Sequence, residues 1–566
     1  MNKQSIEKDI VIVGSGAAGM CAAIVARLEG LDVLLVEKTK FFGGTTALSG
    51  AGTWIPLNHL GAQLGVADDK EKVMTYLRNV VGDTVPEVLH HAFLKHGPRM
   101  LRYMEEKTEL KFSGRKYSPD YLPEVDGAGM GGRAMDPLEF DGRSLGPHFD
   151  MIRKPWPEFL AFGGMMVNRL DIDLLLTAKT SLKGFRHALK LLGRFSVDRL
   201  RGYSRGTRLL MGNAMIGRLY KTLLDLKVEL WNNAPAQGLI RNDGRIAGVV
   251  VMRDGVEVEV RVRKGVVLAT GGFPFNREMR EKLLPQPTGM WSAGNEHNTG
   301  DGIRIAEAVG GHLATGNTNN AFYTPVSMMQ RKDGSTARFP HLMLDRYKPG
   351  IIMVNQDGKR FVNEANSYHA CGEAQYKNNP DGAAVPSYFI CDADFLKKYG
   401  VGMVRPQAAS IRGFIDSGYL VRADSIGALA DKLKINRSGL EQTVANYNRH
   451  AEVGDDPEFG KGGNVYNRYL GDPDHKPNAC LAPIRRGPFY AVEFVPGDIG
   501  TACGLVTDEY ARVLDEGGVP VGGLYAAGND MNSIMGGNYP GPGITIGPGL
   551  TFGYIAARHM AGTLGD

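Results

Sequence analysis

The sequence predicts an α/β protein whose parallel sheet is assembled from three distant stretches of the chain, with further domains inserted between them. Three observations predict it. Residues 9–13, Asp-Ile-Val-Ile-Val, read as a buried strand and run into Gly14-Ser15-Gly16-Ala17-Ala18-Gly19, a helix-like segment and a second apolar run ending at Glu37. Residues 265–272 repeat the pattern as Gly-Val-Val-Leu-Ala-Thr-Gly-Gly. Residues 523–530 repeat it again as Gly-Leu-Tyr-Ala-Ala-Gly-Asn-Asp, ahead of an amphipathic final helix around residues 550–560. Continuous apolar runs are the mark of strands covered on both faces, and a glycine at their end lets backbone turn sharply or approach a ligand.

The first repeat is a Rossmann-like dinucleotide fingerprint. Gly14 permits the tight turn, Gly16 lets backbone approach a pyrophosphate, and Gly19 lets the helix pack close to the strand. The phosphates then meet a helix N-terminus, whose free N–H groups and dipole favour negative charge. Glu37 ends the second strand, where a carboxylate accepts hydrogen bonds from a ribose.

A chain of 566 residues exceeds one ordinary core, so two or three domains are expected. The 75 glycines cluster in the motif segments rather than in low-complexity tracts. A net charge of +5 over this length gives no case for nucleic-acid binding. Five scattered cysteines without CxxC spacing point to a reducing compartment and to neither disulfides nor a zinc site. No leader and no membrane-spanning run is expected.

Further motifs stand at Gly43-Gly44-Thr45-Thr46-Ala47-Leu48-Ser49-Gly50, at Asn298-Thr299-Gly300-Asp301-Gly302, at residues 354–364 (Val-Asn-Gln-Asp-Gly-Lys-Arg-Phe-Val-Asn-Glu) and at Gly536-Gly537-Asn538-Tyr539-Pro540-Gly541-Pro542-Gly543-Ile544-Thr545-Ile546-Gly547-Pro548-Gly549. With these motifs the chain resembles the fumarate reductase and 3-ketosteroid dehydrogenase group of FAD flavoproteins, over nearly its whole length outside residues 130–225. The resemblance implies FAD rather than NAD, because a nicotinamide enzyme keeps its dinucleotide fold in one block whereas this chain returns to the cofactor at its far end. It implies cofactor contacts from Gly14, Gly16, Ala17, Ala18 and Gly19, from Glu37 and Lys38, and from Gly43, Gly44, Thr45, Thr46, Ser49 and Gly50. Later in the chain it implies Ala269, Thr270 and Gly271, then Asp301, then Gly528, Asn529 and Asp530, and finally Ile544, Thr545 and Ile546. No histidine stands in residues 43–50, where covalent members attach flavin, so non-covalent FAD is implied. Asp530 departs from the group, which commonly has a neutral residue there.

Within the group, the tyrosine at 539 followed by Gly543 is similar to the ketosteroid dehydrogenases, which grip a ketone oxygen with a tyrosine hydroxyl and a backbone N–H. The resemblance gives Tyr539 and Gly543 these clamp roles, Tyr368 the role of base and Tyr121 that of its supporting tyrosine. The chemistry needs such a clamp: donors on the oxygen stabilise enolate charge as an α-proton leaves, while flavin N5 takes a hydride from the β carbon. The implied reaction is FAD-dependent 1,2-desaturation of a 3-oxosteroid, a 3-ketosteroid Δ1-dehydrogenase activity, with electrons passing to an acceptor other than NAD. A 4-ene-forming (5α) ketosteroid dehydrogenase and a fumarate-type enoate reductase stay open as alternatives; the second lacks its histidine and arginine pair for two carboxylates. His297, His312 and His369 offer a rival acid–base reading, and His369 adjoins the implied base.

The expected organisation is an FAD-binding domain from residues 1–130, 226–315 and 488–566, an α+β substrate-capping catalytic domain at 316–487, and a helical insertion at 131–225. In the insertion, basic residues at 179, 183, 186, 190 and 194 form one stripe of a helix, and Leu182, Phe185, Leu189 and Leu192 fall on the opposite side. Residues 156–167 upstream are bulky and apolar. A solvated basic face over a packed helix pair is one reading. A monotopic anchor, placing residues 150–215 on an anionic membrane, is a second, and a self-association surface is a third. The expected location is cytoplasmic, peripheral on the inner face of the cytoplasmic membrane.

Overall fold

A computed structural model describes residues 4–379 and 384–565. Its larger sheet has eight strands. Gln4–Val13 lies between Val33–Val36 and Val256–Leu268, parallel to both, and Val256–Leu268 pairs in parallel with Pro520–Ala526. The strand pairs Val13↔Val36, Val13↔Leu268 and Leu268↔Ala526 end the strands level with one another, so that the turns at residues 14, 269–271 and 527–528 share one edge. The antiparallel hairpin of Ala236–Asn242 and Arg245–Arg253 is added to Val256–Leu268.

Helices Ala17–Leu28, Met211–Asp225 and Ile546–Ala561 cover the sheet, which explains why Ile10, Val11 and Ile12 are wholly buried and the strands read as unbroken apolar runs. Packing here is tight enough to demand glycine. Gly14 sits at φ +108°, and a Cβ on it would lie 2.2 Å from the carbonyl oxygen of Ala269.

The second sheet has six antiparallel strands in the capping domain. Phe489–Thr501 runs through its middle, bonded to Ala321–Gln330 along its second half and, along its first, to Ser387–Cys391 and Val421–Ala423 on opposite edges, since both pair with Tyr490 and Ala491. This corrects the expected boundary at residue 488: the chain returns to the cofactor sheet only after Thr501. A near-continuous apolar strand suits either sheet, and only its partners decide between them.

The expected insertion, 131–225, is also too wide. Ala134–Pro137 pairs with Thr53–Trp54 and Phe112–Gly114, and Met211–Asp225 covers the cofactor sheet. Between them stand the helices Arg169–Leu176 and Leu182–Leu200, the second starting after Lys179. Their shared core is small: Ala161, Met165 and Leu191, with Val167, Leu175 and Phe195 against it.

Buried carboxylates do much of the holding. Asp198 accepts from Arg143 and from the N–H and hydroxyl of Thr207, and Asp171 accepts from Arg208, His187 and the Asn168 N–H. Burial opposes their ionisation, but the backbone and arginine donors win and hold both below the usual carboxylate range. Leu182, Phe185 and Leu189 are 55–73% exposed, so this apolar row points outward, whereas Leu191 and Phe195 on another face of the same helix pack in the small core. Among the described residues no helix is long and apolar enough to cross a membrane. All five cysteines are buried and free.

The tight edge at Gly14 gives a direct expectation. Gly14→Ala forces backbone apart at the strand end, a change of the overpacking kind that costs about 1–3 kcal/mol. The variant should melt below the parent and be purified without flavin. A yellow protein with the parental melting temperature would contradict this account of the edge.

Candidate active site

The level strand ends open on one large cavity of about 1580 Å³. It is lined by Gly14, Gly16, Ala17, Ala18, Glu37, Lys38, Gly44, Thr45, Thr46, Ser49, Gly50, Ala269, Thr270, Gly271, Asp301, Gly528, Asn529, Thr545 and Ile546. Gly16 precedes helix Ala17–Leu28 and presents its N-terminus to the cavity. A Cβ on Gly16 would come no nearer than 3.9 Å to any atom, and one on Gly50 would meet nothing within 4 Å. The room in front of these glycines therefore suits a ligand, whereas the glycine at 14 serves the protein's own packing.

The Glu37 carboxylate, on the cavity wall, is fixed by its own surroundings: Ser15 Oγ donates to it at 2.6 Å, and Thr39 N–H and hydroxyl donate at 2.9 Å. Lys38 and Asp301 meet at 2.5 Å, bridging the first and second pieces of the cofactor domain. With a helix N-terminus for phosphate and an acid at the second strand, these residues fit a dinucleotide such as FAD.

Four expected cofactor residues do not face the cavity: Gly19, Gly43, Asp530 and Ile544. Gly19 packs the helix on the strand, a Cβ there lying 2.0 Å from the Gly14 carbonyl oxygen, and Gly43 packs on Ala47 and Ile216. Asp530 is wholly buried. Its carboxylate accepts from Thr270 N–H at 2.5 Å, from the Thr270 hydroxyl at 2.9 Å and from Gly272 N–H at 2.9 Å. It ties two cofactor loops together rather than touching the ligand space. Asn295 and Asn298, which the sequence reading passed over, do line the cavity, and Thr45 Oγ1 accepts from the Asn295 N–H and the Asn298 amide. The motif beginning at Asn298 was the available signal.

Past the cofactor end, the cavity is lined by Tyr121, Tyr368, Tyr539 and Gly543. Tyr121 is held by its own backbone, whose N–H donates to Pro540 O at 2.9 Å, and by its neighbour Asp120, locked to Arg133 and to the Trp54 indole N–H. The Tyr76 hydroxyl donates to the same Pro540 carbonyl, and Trp54 N–H donates to Gly543 O, so the 540–543 turn is fastened from three sides. Gly543 sits at φ +101°, and a Cβ on it would lie 2.2 Å from Gly52 O. Its own N–H donates to no group among the described residues.

Tyr368 arrives from the other domain, as the first residue of helix Tyr368–Lys377, capped by Ser367. The Tyr121 and Tyr368 hydroxyls are 3.4 Å apart, and the Tyr539 ring stacks on Tyr121 with centroids 5.6 Å apart and meets Tyr368 edge-on at 5.0 Å.

Burial sets the protonation of this cluster. It drives the Tyr121 and Tyr368 phenols well above the ordinary tyrosine range, and each neighbouring phenol raises Tyr368 further. Tyr539 is pushed up by burial to about 12, with hydrogen bonds from Tyr368 and Thr545 restraining it. All three are neutral phenols around pH 7, good donors and, without help, poor bases.

His369, the rival, is also constrained. Burial lowers it to about 4, and its Nδ1 accepts from Tyr323 N–H at 3.0 Å. A neutral imidazole with that lone pair engaged aligns the strand beside it. His312 does not line the cavity, and His297 does so at the cofactor end. Among the described residues no group of histidine, cysteine and acid side chains could hold a metal.

The insertion forms the far wall. Trp156, Phe159, Phe162, Val167, Leu170, Leu175 and Leu176 line the cavity there, with Met343 and Leu344 of the cap.

The geometry agrees with relationships across the whole chain. The model of the FAD binding domain family matches residues 9–546. A 3-oxosteroid 1-dehydrogenase of Mycolicibacterium smegmatis is 37% identical, over 98% of this chain and 98% of its own. A 4-oxocyclohex-2-ene-1-carboxylate 5-dehydrogenase of Sinomonas cyclohexanicum is also 37% identical, over 99% of this chain and 94% of its own. The crystal structure of the 3-ketosteroid Δ1-dehydrogenase of Sterolibacterium denitrificans with 1,4-androstadiene-3,17-dione superposes with a TM-score of 0.91 at 38% identity, covering 98% of this chain and 100% of that one.

Removing the Asp530 carboxylate tests its tying role. Asp530→Ala leaves the Thr270 and Gly272 N–H groups without acceptors, at about 1–3 kcal/mol. Apoprotein reconstituted with FAD should bind it more weakly, with a lower melting temperature. Unchanged affinity and melting temperature would show that the tie is dispensable.

Proposed function

The chain belongs to the FAD binding domain family, and from that premise we propose that it is an FAD-dependent 3-oxosteroid 1-dehydrogenase. The observation that carries the reading is the meeting of Tyr121, Tyr368, Tyr539 and the free Gly543 N–H at one end of a cavity whose other end is a dinucleotide cradle. The Tyr539 hydroxyl and Gly543 N–H hold the ketone oxygen and take up enolate charge. Tyr368 removes the α-proton at C2, and Tyr121, in contact with its hydroxyl, passes that proton on. FAD, when bound without a covalent link, supplies the acceptor for the hydride leaving C1. The relatives named for 1-dehydrogenation support this regiochemistry over the Δ4-(5α) alternative. The reoxidant is an acceptor other than NAD.

A small oxo-cyclohexene carboxylate is the second reading, raised by the equally similar Sinomonas enzyme. The cavity favours the steroid. Arg115, a cation beside Gly52 and Tyr121, is held by Asp136 at 2.6–2.7 Å, while the wall contributed by the insertion sets large apolar side chains, among them Trp156, Phe159 and Phe162, beside Glu158, Asn168, Arg169 and Asp173, and its apolar part suits a fused-ring body.

The insertion supports a membrane-surface reading for residues 150–215. The exposed apolar residues Leu182, Phe185 and Leu189 lie side by side with the basic row Lys183, Arg186 and Lys190, an arrangement that seats apolar side chains among acyl chains and lysines near phosphate. The neighbouring helix Arg169–Leu176 lines the cavity, so a steroid dissolved in lipid would meet the entrance there.

Anaerobic mixing of the holoenzyme with androst-4-ene-3,17-dione should bleach the flavin, and a 5α-reduced ketosteroid, succinate and 4-oxocyclohexanecarboxylate should each do so far more slowly. Bleaching by the carboxylates alone would reject the steroid assignment. Tyr539→Phe should keep its FAD and lose about 10²–10³ in kcat, the effect of removing one oxyanion donor. Replacing Leu182, Phe185 and Leu189 together by Asp should abolish sedimentation with anionic vesicles; unaltered sedimentation would refute the surface role.

A further inference from the structure

The proposed base is buried among other phenols, so a tyrosinate there needs a nearby positive charge, and Arg346 is placed to supply it. Its guanidinium is wholly buried and donates to His341 O at 2.6 Å, Leu342 O at 2.9 Å, Glu364 O at 2.6 Å, Asn366 O at 3.0 Å, Cys371 Sγ at 3.1 Å and the Tyr347 hydroxyl at 2.9 Å. No carboxylate among the described residues forms a salt bridge with it. Of the other buried arginines, Arg133, Arg280 and Arg360 each meet at least one, and Arg205 meets none. Its neighbour Asp345 is turned to His341 at 2.6 Å. The Asp345 carboxylate also accepts the Arg346 backbone N–H and feels its charge, so the guanidinium itself bonds only carbonyls, a thiol and a phenol; a buried cation so placed stabilises any further anion that forms within reach.

The route to the cluster runs through two hydrogen bonds and then a ring contact. The Tyr347 oxygen accepts from Arg346 and shares a second hydrogen bond with the Tyr466 hydroxyl, 2.8 Å away. Tyr466 packs on Tyr121 with centroids 4.9 Å apart, and Tyr121 meets the Tyr368 hydroxyl. We infer that Arg346, acting through Tyr347 and Tyr466, is the positioning residue that allows the tyrosine cluster to hold the negative charge of a base. The same guanidinium grips the carbonyls of Glu364 and Asn366, just before Tyr368, and so places the base as well as polarising it. Burial raises Tyr466 well above the ordinary tyrosine range with Arg346 countering, and Tyr347 feels that counterweight most directly.

In turnover the Tyr368 tyrosinate oxygen takes the substrate α-proton as the C–H bond breaks, and the resulting phenol gives that proton up to solvent through the Tyr121 hydroxyl, 3.4 Å away on the cavity wall, before the next cycle. The inference rests on the reading of Tyr368 as base. Other titratable groups around the cluster are engaged elsewhere. Arg115 pairs with Asp136, Glu364 with Arg360 and Lys461, and Glu373 lies near His369 and Lys377. Lys348 donates to the carbonyls of Leu470 and Gly471, Cys371 Sγ lies against Arg346, and Tyr539 and His369 face the site itself.

The test is the pH profile of kcat/KM for androst-4-ene-3,17-dione with holoenzyme, in Tyr347→Phe, Tyr466→Phe, Arg346→Gln and Arg346→Lys. Both phenylalanine variants, which leave the Glu364 and Asn366 carbonyls gripped, should move the acid limb up by about one pH unit. At neutral pH that is about a tenfold loss, recovered in alkali with FAD content unchanged. Arg346→Lys should lie nearer the parental limb than Arg346→Gln. A loss uniform across pH, or profiles that do not move in either phenylalanine variant, would overturn the inference. Tyr368→Phe separates the premise: if that variant turns over normally, the base reading itself has failed. If it is inactive with flavin bound while the other profiles stay parental, only the role of Arg346 falls.

Discussion

The active centre depends on one constraint, the level register of the parallel strands ending at Val13, Leu268 and Ala526. Backbone from three remote stretches must turn at the same height, and the contact of Gly14 with Ala269 leaves no space for a side chain. Once the edge is made, the N-terminus of helix Ala17–Leu28 and the loops after residues 268 and 526 face one space. Asp530 then locks two of those loops with three hydrogen bonds that never touch the ligand. The cradle is a property of backbone, held by side chains that point away from it.

The second half of the site is a meeting of domains. Tyr121 and Tyr539 come from the cofactor domain and are fastened to each other through Pro540, while Tyr368 starts a helix of the cap. Their burial creates a conflict: it excludes water and makes good donors, yet it opposes the charge that proton abstraction requires. A clamp profits from that environment and a base suffers from it. Arg346, buried with no carboxylate bonded to its guanidinium, belongs to the same problem from the opposite side.

The insertion reverses the usual economy of an amphipathic helix. Its core is small, its anchors are the carboxylates of Asp171 and Asp198, and one apolar row, Leu182, Phe185 and Leu189, faces outward. Part of the insertion also walls the cavity.

The sequence by itself determined the α/β class, the three returns to a dinucleotide and the tyrosine–glycine spacing at 539 and 543, because each depends on local patterns: apolar runs, glycines at strand ends and short motifs. Only the tertiary structure decided what depends on partners far along the chain. It placed Phe489–Thr501 in the cap sheet, turned Asp530 away from the ligand space and brought the hydroxyls of Tyr121 and Tyr368, 247 residues apart, to 3.4 Å. Periodicity shows that helix Leu182–Leu200 has unlike faces, but not which of them packs: Leu191 and Phe195 turned inward, and the row of Leu182, Phe185 and Leu189 faces outward. Nor does any local pattern distinguish Arg346 from a surface arginine. Whether a charge is buried, and what stands beside it, is settled only when separate segments of the cap, residues 341–347 and 364–371, fold around it.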